Sequence, residues 1–473
     1  MARQTIQQIS FADWELMRQG VRLEPQLEAI SGFLDDQKNV IESIRRDLVR
    51  GLKNPGSGRS GMTAPQTLRS LVLMRVKNWD YRELRERIAD GLTLRQFTDF
   101  HSGAVPKHDA FQRSFVRLTP QTMRAVNDLV IRAAVELGLE DGSKLRTDTT
   151  VVQTDIHHPT DSTLLWDVVR VVTRLVRRLA KALNLRKIEG FCNRTRSAHR
   201  RMYEIQRMTT KQRQAWLTKT YRALVGIAEE VLGGARAALE KTAKMRGSDL
   251  WDNLVIEHLR EEIEHYCELG DRVVDQARRR VLHGEQVPNS DKICSIFEPH
   301  TDLIKRGKVR SPVEFGHKVL LAESGHGLIT QYEVLKGNPV DEIHVSPSLA
   351  RHKQAFGRAP ELYSADRGFF SENNLTLCKQ ARVKMTCIPQ RGGKRTLRRE
   401  TYEHSTDFKE GQRFRAGIEG RISVLFRGRG MKRCISEGRE RFELLIGAAV
   451  LANNLMRIAE LLIAQSRRKR KAA

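Results

Sequence analysis

The stretch KLRTDTTVVQTD, residues 144–155, decides how this chain is read. Val151 and Val152 stand among Thr149, Thr150 and Thr154, and β-branched residues suit a pleated strand. One carboxylate, Asp148, sits near its middle. An acid inside an apolar strand is costly unless its charge is matched, and a metal ion would match it. Two later segments supply the partners such an ion needs: LYSADRGFF around Asp366 and FRAGIEGRIS around Glu419. The expectation is a fold that brings Asp148, Asp366 and Glu419 together.

The bulk charge bears on what such a site would meet. The chain has 473 residues, 40% of them apolar, and a formal net charge of +26. That length should divide into two to four domains. So large an excess of positive charge points to a polyanion, most often nucleic acid, with a ribosomal or membrane-surface role as the competitor. The basic residues are spread along the whole chain, which suggests an extended DNA-contacting face. Six scattered cysteines form no CxxC pair, so zinc-finger spacing is absent and small buried hydrophobes are expected in a reducing compartment. The first twenty residues carry acids and no long apolar core, unlike a signal peptide, and no unbroken run of about 18 apolar residues occurs. A cytoplasmic, soluble protein is expected, nucleoid-associated if bacterial.

Upstream of the key strand, residues 1–62 read as helices followed by the Gly/Ser/Pro linker NPGSGRSGM. Residues 63–140 read as a run of short helices with sharp turns. Thr63 serves as the first N-cap, and a break falls at Trp79-Asp80. Such a run suits a helix-turn-helix-like DNA reader, with Arg113 and Arg117 on one face of the helix after Val105-Pro106. A plain helical bundle with a solvated basic face has the same pattern. Downstream, DIHHPTDSTLL holds Asp155, His157, His158 and Asp161, better read as structural or DNA-facing than as metal ligands. An all-α insertion then runs over about 163–290, with Arg170, Arg174, Arg177 and Arg178 opposite an apolar face.

From about residue 293 the period changes. Residues 311–324 and 327–338 read as a hairpin turning at Gly325-His326. A helix at 345–357 follows, then a strand ending at Asp366, where Gly368 is expected to allow a tight backbone turn. Next come a helix capped by Ser371, the strand VKMTCIPQ, a basic loop at 391–400, the helix carrying Glu419, an apolar helix at 440–465, and a basic tail, 466–473, read as disordered.

Acids on adjacent strands and on a packing helix suit magnesium, which prefers oxygen ligands and keeps waters. Two such ions about 3.5–4 Å apart clamp the attacking and leaving oxygens of a phosphodiester. Asp148 would bridge the ions, with Asp366 and Glu419 each flanking one. Water would free a 3′-OH, which would then attack a second DNA. Spacing alone is weak among 57 acids, since Asp366 also fits a turn and Glu419 an exposed ion pair. The local setting adds weight: Arg415, four residues before Glu419, shares its helix face and could hold the carboxylate or a phosphate.

The blocks RTDTTVVQTDIHHPTDS, YSADRGFFSENN and QRFRAGIEGRISVLFRGRG, followed by VLANNLMRIAELL, resemble those of bacterial insertion-sequence DDE transposases, nearest the grouping called ISNCY. VPKHDAFQRSFVRL resembles the helix closing their N-terminal DNA-binding part. The resemblance covers about 63–465. It implies an α/β, RNase H-like catalytic domain over 141–465, interrupted by the helical insertion, with Asp148, Asp366 and Glu419 as catalytic, metal-holding acids. It also implies two Mg²⁺ ions, or Mn²⁺, and double-stranded DNA, both element ends and target. A homo-oligomer, at least a dimer on DNA, follows, with the insertion a natural place for it. Arg113, Arg117, Lys394, Arg395, Arg398, Arg399, Arg415, Arg421, Arg427 and Arg429 are the expected DNA contacts. One departure stands: where relatives often carry Tyr and Lys flanking the third acid, this chain has Gln412 and Phe426. A cutting-only nuclease or resolvase and an inactive DNA-binding relic are the alternatives.

Overall fold

The structure is a computed structural model that describes residues 22–54, 61–208, 214–305 and 313–472. The N-terminal stretch read against a signal peptide and most of the predicted linker lie outside the described residues. Two compact units form: Met1–Gln153 with His317–Ala473, and Thr154–Gly316.

In the first unit, seven helices precede the key strand among the described residues: α1 Pro25–Asp35, α2 Lys38–Val49, α3 Ala64–Lys77, α4 Tyr81–Asp90, α5 Leu92–Phe97, α6 His108–Val116 and α7 Pro120–Glu136. Two of these starts fall where the sequence marks them. The Thr63 hydroxyl accepts from Gln66 N–H while Gln66 Oε1 accepts from Thr63 N–H, a reciprocal box with Pro65 in the first turn. Asp80 accepts from Arg82 and Glu83 N–H and so opens α4 at the predicted break.

Strand β1, Lys144–Thr154, matches the predicted stretch. Among the described residues, the second unit follows as four α-helices: α8 Asp161–Ala182, α9 Thr195–Gln206, α10 Gln214–Thr242 and α11 Leu250–Ala277. They enclose Val168, Val172, Leu224, Val231, Ile263 and Val273, and α8 turns its arginines outward as its pattern predicts. After a π-helical turn at Arg278–Leu282 comes β2, Asp302–Lys305, which pairs antiparallel with the first residues of β3, Val313–Ser324.

The remaining elements belong to the first unit: β4 Ile329–Val334, α12 Val345–Phe356, β5 Leu362–Ala365, α13 Glu372–Gln380, β6 Met385–Cys387, α14 Leu397–His404, α15 Thr406–Gly428, β7 Arg433–Cys434 and α16 Arg439–Ala472. The described strands make one mixed α/β sheet of seven, in the order β2-β3-β1-β5-β6, with β4 on β3 and β7 on β1. β1, β5 and β6 run parallel, and β3 and β4 form the predicted antiparallel hairpin.

Strand periodicity assigns the faces. On β3, Val319 and Leu321 pack with Leu425 and Ile446, while Leu320 and Ala322 pack with Leu349 and Cys378. A third core joins the N-terminal helices to α16: Leu34, Leu68, Phe111 and Val130 share it with Leu451 and Leu455. The boundary expected at residue 140 is therefore not a break in packing.

Two expectations are corrected at the basic segments. The expected loop at 391–400 becomes helical from Leu397, because the Thr396 hydroxyl accepts from Arg399 N–H. The expected disordered tail is the last turns of α16. Arg and Lys are good helix formers and complement the negative end of the helix dipole. α16 is also long and apolar enough to cross a membrane by length and composition, without an unbroken apolar run; 67% of that window is buried within the protein.

Buried His352 on α12 gives the fold an acid sensitivity. Its Nε2–H donates to Gly142 O at 2.9 Å, while Nδ1 is buried with no hydrogen-bond partner. Burial pushes its pKa from 6.5 down to about 4. The unfolded chain therefore takes up this proton first, and stability rises with pH between about 4 and 6.5 and is level outside that window. His352→Gln keeps the donor and should remove up to roughly 3 kcal/mol of the pH dependence. Urea midpoints of both proteins at pH 4.5 and pH 7 check this; parallel midpoint shifts would refute it.

Candidate active site

The sheet register brings the first two acids side by side. β1 and β5 pair as Leu145↔Tyr363, Arg146↔Ser364 and Thr147↔Ala365, and the next residue on each chain is Asp148 and Asp366. Even-numbered residues of β1 face α15. Arg146 donates to Phe414 O there and stacks on the Phe414 ring at 4.7 Å. Asp148, two residues on, faces the same helix.

All three predicted acids converge on Arg415. Its Nη1 lies 3.0 Å from Glu419 Oε1, and its Nη2 lies 3.1 Å from Asp148 Oδ2 and 3.9 Å from Asp366 Oδ2. The i, i+4 spacing on α15 aligns Arg415 with Glu419. Exposure is graded: the Asp148 side chain is 11% exposed, Asp366 38% and Glu419 66%. The site thus has a closed floor and an open rim.

Backbone amides fix the two aspartates. Asp148 Oδ1 accepts from Thr149 N–H at 2.7 Å, and Asp366 Oδ1 accepts from Gly368 N–H at 2.6 Å, capping a short 3₁₀ turn at Arg367–Phe369. Gly368 is needed for a different reason from the predicted one. A Cβ there would stand 2.8 Å from Asp341 Oδ2 and 2.9 Å from Asp366 Oδ1, so the glycine makes room for two carboxylates.

Asp341 is an acid the sequence reading missed. It accepts from Thr149 Oγ1 at 2.9 Å and pairs with Lys318 at 2.8 Å. It lies in a short 3₁₀ turn, where no periodicity marks it. Glu323 was missed too. This fully buried carboxylate on β3 bridges Arg146, at 2.7 Å, and Arg421, at 3.0 Å. Gly417 makes the bridge feasible, because a Cβ there would run into the Arg146 guanidinium. Gln412 donates to Cys387 O at 2.5 Å and so ties α15 to the end of β6.

The predicted DNA contacts divide in two. Arg113, Lys394, Arg395, Arg398 and Arg427 are exposed, with Arg113 paired to Asp109 and Arg395 to Glu403. Arg399, Arg421 and Arg429 point inward instead. Arg399 is held by Glu403 and Ile388 O over the Phe370 and Tyr402 rings, Arg421 by Glu323, and Arg429 by Val76 O. Arg117 is latched to Arg50 by reciprocal bonds to each other's carbonyl. Of the residues after β1, His157 pairs with Asp167, and Asp161 accepts from Arg280 and Gln276.

Three partly exposed carboxylates offer the hard oxygen donors that Mg²⁺ or Mn²⁺ takes, with solvent access for waters to complete the shell. The donor set fits such an ion. The triad oxygens ring Arg415 rather than gathering tightly. Among the described residues, the group with ligand atoms within 4.8 Å of one another is Glu140, Asp141 and His326. There Glu140 already accepts from Gly142 N–H, His326 N–H and the Ser324 hydroxyl, which secures the hairpin turn. Comparison with protein-family models, curated proteins and solved structures returned no match to this chain.

Proposed function

We propose that this protein is a DNA transposase with an RNase H-like DDE catalytic domain, of the insertion-sequence kind that its motifs resemble. One observation carries the reading: acids from β1, from the end of β5 and from α15, far apart in sequence, meet on one guanidinium. The strand order β4-β3-β1-β5-β6 around them supports an RNase H-like core.

In this reading Asp148, Asp366 and Glu419 hold divalent cations, which supply charge stabilisation at a reacting phosphodiester. Asp148 is oriented from below by Thr149 N–H and Asp366 by Gly368 N–H, so both carboxylates are preorganised. Glu419 stands at the open rim, where DNA would enter. Lys394, Arg395, Arg398 and Arg427 are exposed, and in this reading their positive charge holds the DNA backbone. Arg113 on α6, and Arg117 just past its end, belong to the region that would read the element ends, and a dimer or larger assembly would bring two ends together. Water displaces one bridging oxygen of the phosphodiester, leaving a 3′-OH and a 5′-phosphate. That 3′-OH then attacks a phosphodiester of the target DNA, forming one bond as the target's own 3′ oxygen leaves.

The test is a plasmid carrying the gene and its native flanks, incubated with Mg²⁺ and either wild-type protein or Glu419→Gln. Joined products from wild type alone are expected. Cleavage without joining would instead mark a nuclease or resolvase. Binding of the flanks by both proteins, with no cleavage, would mark a DNA-binding relic.

A further inference from the structure

We propose that Arg415 makes loading of the acidic triad depend on DNA. In the free protein its guanidinium is the triad's counter-ion, and a phosphodiester draws it away when DNA binds. The inference rests on reading the triad as a divalent-cation site.

The charges argue for it. Three carboxylates meet one guanidinium at 3.0, 3.1 and 3.9 Å. Of the other charges nearby, Lys318 pairs with Asp341, and Arg146 and Arg421 share the single charge of Glu323, whereas the ion pairs of the three acids themselves are to Arg415. Arg415 is thus the cation against which an arriving divalent ion must compete, at distances where like charges repel strongly. The guanidinium is also incompletely satisfied, since its buried Nε–H has no acceptor. A phosphodiester offers planar, bidentate acceptance that the spread carboxylates do not. Because Arg415 stands one helical turn from the exposed Glu419, a small movement toward the rim would exchange acids for phosphate. If DNA removes the competing charge, DNA and cation must each raise the other's affinity by the same factor. The cutting site then assembles only on DNA.

The experiment measures Mn²⁺ binding by electron paramagnetic resonance on the full chain, with and without a short duplex from the element's flank. Wild type is compared with Arg415→Gln, Arg415→Lys and Glu419→Gln. A neighbouring unit charge shifts a carboxylate's proton affinity by roughly ten- to a thousandfold, and this open site belongs at the low end. Arg415→Gln should therefore bind Mn²⁺ about tenfold tighter than wild type without DNA, and DNA should add nothing further. Arg415→Lys keeps the charge and should stay close to wild type, which separates charge from any folding defect. Wild-type affinity that DNA leaves unchanged, or an Arg415→Gln protein that binds no tighter, overturns the proposal. If Glu419→Gln binds Mn²⁺ as wild type does, the cation is not at the triad, and the reading beneath the proposal fails with it.

Discussion

Glu323→Ala is expected to lower the stability of the first unit by about 3–5 kcal/mol, the usual consequence of removing one partner from a buried ion cluster. Glu323 is fully buried, and both its oxygens are used, one by Arg146 and the other by Arg421. Without it two guanidinium groups, 11% and 21% exposed, face each other with no counter-charge. The loss should reach the site as well. Arg146 stands two residues before Asp148 on β1, and Arg421 two residues after Glu419 on α15. Glu323 therefore fixes how the helix is rotated against the strand. The triple variant Arg146→Met, Glu323→Leu, Arg421→Met should recover much of the stability, since a well-packed apolar cluster often matches a buried ionic one. Urea unfolding of the single and triple variants decides it. A single variant within about 1 kcal/mol of wild type would show that the bridge does not hold the fold.

Asn454→Leu should cost about 3 kcal/mol, because the Asn454 amide serves three elements at once. Its Oδ1 accepts from Ile329 N–H at 2.8 Å, and its Nδ2 donates to Ile329 O and to Asn127 Oδ1, each at 2.8 Å. α16, β4 and α7 are joined there with no solvent nearby. Leucine fills the volume and leaves buried donors and acceptors unmade. Asn454→Asp keeps the acceptor for Ile329 N–H but buries a charge, so it should be worse than leucine. Thermal unfolding of the two variants ranks them, and the reverse order would show that the acceptor for Ile329 N–H matters more than neutrality.

Asn454 lies in VLANNLMRIAELL, one of the blocks behind the family resemblance. Its evident physical role is to join helices to the sheet, so a recognisable motif need not be a chemical one. The elements of the core are legible in the sequence because their signals are local. β-branched residues from Thr147 to Val152 mark β1, the Gly325-His326 turn marks the hairpin, and Ser371 marks the start of α13. The three acids are legible because each sits at an element whose type the local pattern shows. Other features depend on partners distant in the chain. Arg421 meets a carboxylate 98 residues away, and Arg429 bonds the carbonyl of Val76. Nothing in FRAGIEGRISVLFRGRG separates an arginine that turns inward from one that faces solvent. The need for Gly368 escapes the local pattern, because crowding by Asp341 cannot be read from neighbours in sequence. The tail misleads because basic residues carry two opposed signals, solvation and helix propensity.

The shared core of the N-terminal helices and α16 has a consequence for how this chain is made. Residues such as Leu34, Leu68 and Val130 leave the ribosome more than three hundred residues before Leu451 and Leu455, which complete their packing. The helical unit Thr154–Gly316 is contiguous and can fold while synthesis continues. The unit carrying the acids must wait with apolar surface uncovered until α16 emerges. A nascent chain that stops short of that helix would expose this surface and be a natural substrate for chaperones and proteases.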